Sequence, residues 1–126
     1  MRTDRQNTGK RGEDEACRYL EGLGHFIVER GYRHSHQEID IISTDARGLH
    51  FVEVKTRTAP TTADPEVNVN EAKRRNMVKG AQSYLRTAPK CVTRDQEIFF
   101  DVVTVVLDGE NATIEYYPQA FIPFYV

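Results

Sequence analysis

The 126-residue sequence lacks the features that mark membrane proteins, secreted proteins and zinc ribbons. It has no apolar run near the ~20 residues that a membrane-spanning helix needs, and its first residues lack the apolar segment of a signal peptide. Its two cysteines, Cys17 and Cys91, are too few and too scattered for a disulfide framework or a zinc ribbon. We therefore expect a cytoplasmic protein without a membrane partner.

The sequence also lacks the strong positive charge of many nucleic-acid-binding proteins, since its formal net charge is −2. Basic residues are nevertheless concentrated near the N-terminus and in the middle of the chain, whereas acidic residues dominate after Cys91. Such a distribution can give a protein one basic face, although solvated helix surfaces carry similar clusters. The residues expected to contact nucleic acid are Lys10, Arg11, Arg57, Lys73, Arg74 and Arg75.

The hydrophobic pattern predicts a single α/β domain over residues 1–126, because a chain of this length builds one core. Apolar stripes at helical spacing predict helices at residues 9–23 and 70–86. Five segments rich in Val, Ile and Phe predict strands, at residues 25–33, 37–43, 49–57, 97–107 and 112–117. The order α-β-β-β-α-β-β predicts a mixed five-stranded sheet flanked by helices, with residues 1–8 frayed and residues 58–69 forming a flexible loop.

The fourth predicted strand, residues 97–107, is apolar on both of its faces except at Asp101. Burial on both faces is typical of a central strand that has helices on either side. We therefore expect this strand to lie inside the sheet.

Two of the predicted strands carry charge where a buried strand is normally apolar. Because side chains alternate along a strand, a hairpin places Asp40 of the first beside Glu53 and Lys55 of the second. The opposite face would then hold Ile39, Ile41, Val52 and Val54. Charged groups on a hydrophobic sheet are costly to desolvate unless they bind something, and a divalent cation is the simplest ligand.

Glu13 extends this pattern, because it precedes the apolar stripe of the first helix and that helix must cover one face of the sheet. Taken alone, it is equally well explained as a first-turn residue favoured by the helix dipole. Magnesium takes carboxylate oxygens together with water and substrate phosphate. A metal held by these acids activates water and neutralises charge on a phosphate, while a nearby lysine stabilises the transition state. The set therefore predicts phosphodiester hydrolysis.

The histidines give only weak support for a zinc site. His34 and His36 form a His-x-His pair, but zinc sites need three or four clear protein ligands. We expect this pair to be solvated. His50 has the opposite strand parity to Glu53, so we expect a structural role for it.

Asp40 followed by Glu53-Val54-Lys55 resembles the core motif of the PD-(D/E)xK nuclease superfamily. More narrowly, Gly12-Glu13, Glu38–Ile42 and Phe51–Arg57 resemble the YraN-like family of bacterial proteins, which is similar to archaeal Holliday-junction resolvases. The resemblance implies a restriction-endonuclease-like fold. It also implies a Mg²⁺ or Mn²⁺ site formed by Glu13, Asp40, Glu53 and Lys55.

The same resemblance implies DNA as the partner, with branched or junction DNA as the candidate substrate and a homodimer as the candidate assembly. There are departures from the family pattern. Gln37 replaces the glycine expected before Glu38, and Gly80 stands where a RecB-type nuclease would have glutamine. Two alternatives therefore stay open: a nucleic-acid-binding module without catalysis, and an interaction protein whose carboxylates form ion pairs.

Overall fold

The computed structural model describes residues 4–60, 68–88 and 96–123. Helix α1 spans Asp4–Gly22 and helix α2 spans Glu71–Arg86. The strands are β1 (Phe26–His34), β2 (Gln37–Thr44), β3 (Leu49–Thr58), β4 (Ile98–Asp108) and β5 (Asn111–Phe121). This arrangement confirms the predicted α/β order of elements.

All five strands form one mixed sheet in the order β1-β2-β3-β4-β5. Strands β3 and β4 are parallel and the other neighbours are antiparallel. A parallel pair requires a crossover connection, and α2 lies in that connection. Residues 99–105 of β4 are buried throughout. This confirms the prediction of an inner strand covered on both faces.

The two helices cover opposite faces of the sheet, and each face has its own core. Ala16, Cys17 and Leu20 of α1 pack in one cluster with apolar residues of β2, β3 and β4. Met77 and Tyr84 of α2 pack in the other cluster, which includes stacked phenylalanines of β3, β4 and β5. Among the helices that the structure describes, none is long and apolar enough to cross a membrane.

Strand β2 departs from simple alternation near Asp40. Ile41 lies in the α1 cluster together with Val52, but Ile39 lies in the α2 cluster. A Cβ atom on Gly80 of α2 would be only 3.2 Å from Ile39 Cδ1, so α2 packs directly over this side chain. The expectation that Ile39 shares a face with Ile41 was therefore wrong. The β2–β3 pairing ends at Ile41 and Val52, and this end of the ladder leaves β2 free to turn at Asp40.

Helix α1 is longer at its N-terminus than the sequence predicts. Residues 4–8, expected to be frayed, are helical, and Thr8 Oγ1 donates to the Asp4 carbonyl oxygen at 2.9 Å. Asp4 also provides a negative charge in the first turn, where the helix dipole favours it. Residues 1–3, and residues 61–67 of the predicted flexible loop, lie outside the described residues.

Candidate functional site

Strand β3 places Glu53 and Lys55 beside the start of α2. Residues 49–52 are fully buried and anchor the strand, whereas the residues just after them are only partly buried. Glu53 and Lys55 line one open pocket, together with Asn68 and with Lys73 of α2. The structure thus brings together the two β3 residues that the strand alternation selects. We call the group Asp40, Glu53, Lys55 and Lys73 the carboxylate pocket.

Asp40 lies at the point where β2 and β3 separate. Its Oδ2 accepts a hydrogen bond of 2.8 Å from the backbone N–H of Val54, so the side chain continues the contact between the strands after the ladder ends. Burial, and then the negative charge of Glu53, raise the pKa of Asp40 to about 7. Asp40 and Glu53 therefore repel each other inside the fold, and a cation bound between them would relieve that repulsion.

Both lysines of the carboxylate pocket have protein partners. Lys73 Nζ lies 3.2 Å from Glu53 Oε2, and Lys55 Nζ donates to the Asn68 carbonyl oxygen at 2.8 Å. The Glu53 side chain is 15% exposed and that of Lys73 is 37% exposed. Lys73, expected to be a nucleic-acid contact on a helix surface, thus balances the charge of Glu53 at the pocket itself.

Glu13 reaches the same region from α1. A Cβ atom on Gly12 would lie 2.0 Å from Thr56 Oγ1, so only glycine lets α1 approach β3 this closely. Glu13 Oε1 accepts a hydrogen bond of 3.0 Å from Nε of Arg30 on β1. Its charge contributes to the raised pKa of Asp40, less than that of Glu53 does. Glu13 is therefore near Asp40 but held in an ion pair, and the arginine that holds it was missed by the sequence analysis.

The remaining residues predicted to contact nucleic acid differ in the contacts that they make with the rest of the protein. Arg11 donates to the Gly109 carbonyl oxygen at 2.5 Å. Arg74 Nε donates to the Val69 carbonyl oxygen at 2.7 Å, and its guanidinium lies over the ring of Phe121. Lys10 Nζ is 3.5 Å from Asp14 Oδ1. Arg57 and Arg75 are exposed, as are Lys10 and Arg74, so all four are accessible to a phosphate backbone.

A second group of charged residues lies on the α1 face of the sheet, and sequence analysis identified only part of it. His50 is fully buried, as expected for a structural residue, with Nδ1 at 2.6 Å from Asp101 Oδ2 and Nε2 at 2.8 Å from Asp45 Oδ1. His25 Nε2 lies 3.4 Å from Asp45 Oδ2. We call His25, Asp45 and His50 the histidine cluster.

The strand register gives the signal that would have located this cluster. Phe26 pairs with Thr44 in the antiparallel β1–β2 ladder, so His25 and Asp45 are the next residues at its end. Ser43 pairs with His50 in the β2–β3 ladder, which brings the third residue to the same place. Assigning these registers from the sequence would have identified the cluster.

The β2–β3 turn holds Asp45 in position. Its Oδ1 accepts from the backbone N–H groups of Arg47 and Gly48 at 2.9 and 3.2 Å. Gly48 has φ +154°, and a Cβ atom there would be 2.3 Å from the Glu97 carbonyl oxygen, so the turn requires glycine. Burial alone would raise the pKa of Asp45, but hydrogen bonds from His50 and the turn lower it. In return, the two carboxylates raise the pKa of His50 against the effect of its burial.

Comparison with known proteins identifies a protein family and several bacterial relatives that are similar to this chain. The model of the uncharacterised protein family UPF0102 matches residues 12–105, which include both sites. A UPF0102 protein of Chlorobium limicola is 38% identical over 127 aligned positions that cover 96% of each chain. One of Syntrophotalea carbinolica is 39% identical with the same coverage, and one of Bacteroides thetaiotaomicron is 36% identical over 91% of this chain and 92% of its own.

Proposed function

The chain belongs to the uncharacterised protein family UPF0102, and we propose that it is a metal-dependent endonuclease that hydrolyses DNA phosphodiester bonds. One observation carries the proposal: Glu53, Lys55 and Lys73 line one open pocket, and the charge of Glu53 acts on the neighbouring, largely buried Asp40. Repelling carboxylates beside lysines are suited to a substrate that brings both a metal ion and a phosphate. Resemblance to the PD-(D/E)xK nucleases supports the same chemistry.

The donor set fits a hard divalent cation. Asp40 and Glu53 offer carboxylate oxygens, and burial together with the charge of Glu53 raises the pKa of Asp40, so a bound cation would stabilise its ionised form. Mg²⁺ or Mn²⁺ would be held by these two residues, and Glu13, whose charge also acts on Asp40, is the third candidate ligand. When bound, such an ion supplies an activated water and neutralises charge on the phosphate.

The two lysines would act on the substrate. Lys55 projects from the same face of β3 as Glu53, so its ammonium is placed to stabilise negative charge that develops on the phosphate. Lys73 balances Glu53 in the free protein and is more than one third exposed, so it is able to turn toward a DNA phosphate. Exposed Arg57 and Arg75 would bind the backbone further away without reading sequence.

We propose branched or junction DNA as the preferred substrate and a homodimer as the assembly that cuts two strands, both on the resemblance to resolvases. This activity belongs to the cytoplasm, where the chromosome of a bacterium is accessible.

The experiment is a cleavage assay on branched, single-stranded and duplex DNA with Mg²⁺ or Mn²⁺, using wild type and Glu53→Gln. Wild type should cut at least one substrate, and Glu53→Gln should not, because it removes a ligand charge and preserves the shape. Glu29→Gln is the matched control, since Glu29 is an exposed glutamate of β1. Absence of cleavage by wild type with either metal on all three substrates would overturn the enzymatic proposal.

The ion pair of Lys73 with Glu53 favours a second candidate, a nucleic-acid-binding module without turnover. In that case the lysine is a permanent structural partner of the carboxylate. Wild type would then bind branched DNA in a gel-shift assay without cutting it, and added Mn²⁺ would not change the affinity.

A further inference from the structure

We propose that the histidine cluster is a second metal site, which takes Zn²⁺ or a similar transition-metal ion through His25, Asp45 and His50. The site lies outside the carboxylate pocket and goes beyond the proposed nuclease activity. It uses a different class of ligand, since two of its three donors are imidazole nitrogens.

The three donors already converge. His25 Nε2 and His50 Nε2 lie 3.4 Å and 2.8 Å from the two oxygens of Asp45. One ligand atom from each residue lies within 4.8 Å of the others. Zinc binds histidine nitrogen and carboxylate oxygen at about 2.0–2.2 Å, so ligand atoms around one ion are roughly 3–4 Å apart. Only a small closing movement is needed.

Each imidazole is also held from its far side. His25 Nδ1 lies 2.9 Å from Ser43 Oγ, and His50 Nδ1 lies 2.6 Å from Asp101 Oδ2. If both Nδ1 atoms carry hydrogen and donate, both Nε2 lone pairs are available to an ion. A carboxylate or hydroxyl behind a metal-binding histidine is the usual arrangement, because it fixes the tautomer and the ring orientation.

Asp101, which holds His50, is itself held by two hydrogen bonds. Asp101 Oδ2 accepts from the hydroxyl of Tyr116 at 2.5 Å, and its Oδ1 accepts from the backbone N–H of Gln119 at 2.8 Å. Asp101 is fully buried, so its negative charge acts on the histidine with little screening. In the free protein His50 Nε2 lies 2.8 Å from Asp45 Oδ1, a distance at which an Nε2 proton would donate to the carboxylate. Metal binding would release that proton to solvent.

The surroundings allow an ion to enter. Asp45 borders an open cavity that is also lined by Arg47 and Phe99, so water reaches the carboxylate and would complete the coordination. His50 stacks on Phe99 on its other side. A bound ion would join the start of β1, the β2–β3 turn and β3. We therefore expect it to stabilise this end of the sheet.

The test uses the full chain, stripped with EDTA and titrated with Zn²⁺ against a chromogenic chelator. Wild type should bind one Zn²⁺ with micromolar or tighter affinity and melt at a higher temperature when loaded. Asp45→Asn should abolish this binding, although its side-chain oxygen still accepts the turn hydrogen bonds. Ser43→Ala should weaken binding by about 10–100-fold, as losses behind a ligand typically do.

Two controls separate this site from others. A Glu53→Gln variant and a double His34→Ala/His36→Ala variant should both keep the Zn²⁺ site. Equal Zn²⁺ affinity in wild type and Asp45→Asn would overturn the proposal, as would absence of binding at micromolar Zn²⁺. Should Asp45→Asn fail to fold, the visible spectrum of Co²⁺-loaded wild type decides. Intense bands of four-coordinate cobalt support the site, and the weak spectrum of hydrated cobalt contradicts it.

Discussion

The carboxylate pocket and the histidine cluster share strand β3 but balance their charges in opposite ways. Glu53 and His50 are three residues apart on the strand, so alternation directs them to opposite faces of the sheet. In the pocket, burial and a neighbouring carboxylate raise the pKa of Asp40. In the cluster, hydrogen-bond donors lower the pKa of Asp45 despite its burial.

This difference indicates what each site requires. In the carboxylate pocket Lys73 pairs with Glu53, but burial and the charge of Glu53 still raise the pKa of Asp40, so a ligand that brings positive charge would stabilise the ionised Asp40. In the histidine cluster the polar atoms already have hydrogen-bond partners, so a metal ion must replace some of these bonds. Binding would still be favoured because the ligand atoms are held in place before the ion arrives. Strand alternation thus directs the carboxylates proposed to bind a hard cation to one face of β3 and the histidine proposed to bind a transition metal to the other.

The largest effect should come from Lys55, whose value in the proposed reaction lies in the transition state. We expect Lys55→Ala to lower the rate of DNA cleavage by about 100–1000-fold, as loss of a preorganised electrostatic group typically does. Affinity for DNA should fall only slightly, because one phosphate contact among several is removed. Single-turnover cleavage and gel-shift assays in parallel measure the two effects. Lys79→Ala, an exposed lysine of α2, is the control, and a loss of affinity equal to the loss of rate would contradict the role.

The next effect concerns the independence of the two sites. At ten times its dissociation constant, a metal that binds only the folded state adds about 1.4 kcal/mol of stability. We expect Asp40→Asn to lose the rise in melting temperature on adding Mn²⁺ and to keep the rise on adding Zn²⁺. Asp45→Asn should show the reverse pattern. Thermal melts of wild type and both variants with each metal make the test, and a variant that loses both responses would show that the sites are coupled.

A third prediction concerns the stability of the metal-free protein as a function of pH, measured by thermal melts in the presence of EDTA. The folded-state pKa of Asp40, about 7, is above its ordinary value of 3.8. The folded protein therefore binds more protons than the unfolded chain between these values, and the Asp40 contribution to stability falls as pH rises from about 4 to about 7. Asp40→Asn removes this loss, so it should be more stable than wild type at pH 8 and similar to it near pH 4.

Asp45→Asn should give the opposite sign in the same melts. Because the pKa of Asp45 is lowered in the folded state, its contribution is present above its ordinary value of 3.8 and is lost as pH falls below that value. The variant should therefore be less stable than wild type at pH 8, and the difference should shrink in acid. If Asp40→Asn and Asp45→Asn both changed the stability at pH 8 in the same direction, the contrast between the two sites would be wrong.

The sequence predicted the parts of the molecule that depend on local periodicity. The order of elements, the inner position of β4 and the shared face of Glu53 and Lys55 all follow from apolar spacing of two or about 3.6 residues. The proximity of Asp40 to Glu53 follows from the same rule once a hairpin is assumed.

The remaining features depend on contacts between residues far apart in the chain. Ile39 turned to the α2 face because the β2–β3 ladder ends beside it, and no local pattern records the end of a ladder. In the sequence, Asp101 is a polar residue that interrupts an apolar strand, and nothing local indicates that it joins His50, 51 residues away, to Tyr116. The pairing of Glu13 with Arg30 likewise depends on how α1 crosses the sheet.

The smallest effect should separate basic residues at the carboxylate pocket from those elsewhere. Lys73 lies in the pocket and Arg75 is exposed on the same helix, so both are placed to contact DNA phosphates. Each phosphate contact contributes about 0.9 to the slope of log affinity against log salt. The double variant Lys73→Ala/Arg75→Ala should therefore lower affinity by a few fold to tens of fold at low salt and flatten the slope by about 2.

The control is Arg18→Ala. Arg18 is an exposed arginine of α1 paired with Glu15, so the variant removes positive charge without a predicted contact and should leave the slope unchanged. Fluorescence anisotropy on branched DNA between about 50 and 200 mM salt measures these slopes. An unchanged slope in the double variant would mean that neither of these two residues contacts a phosphate and that DNA approaches the pocket from another side.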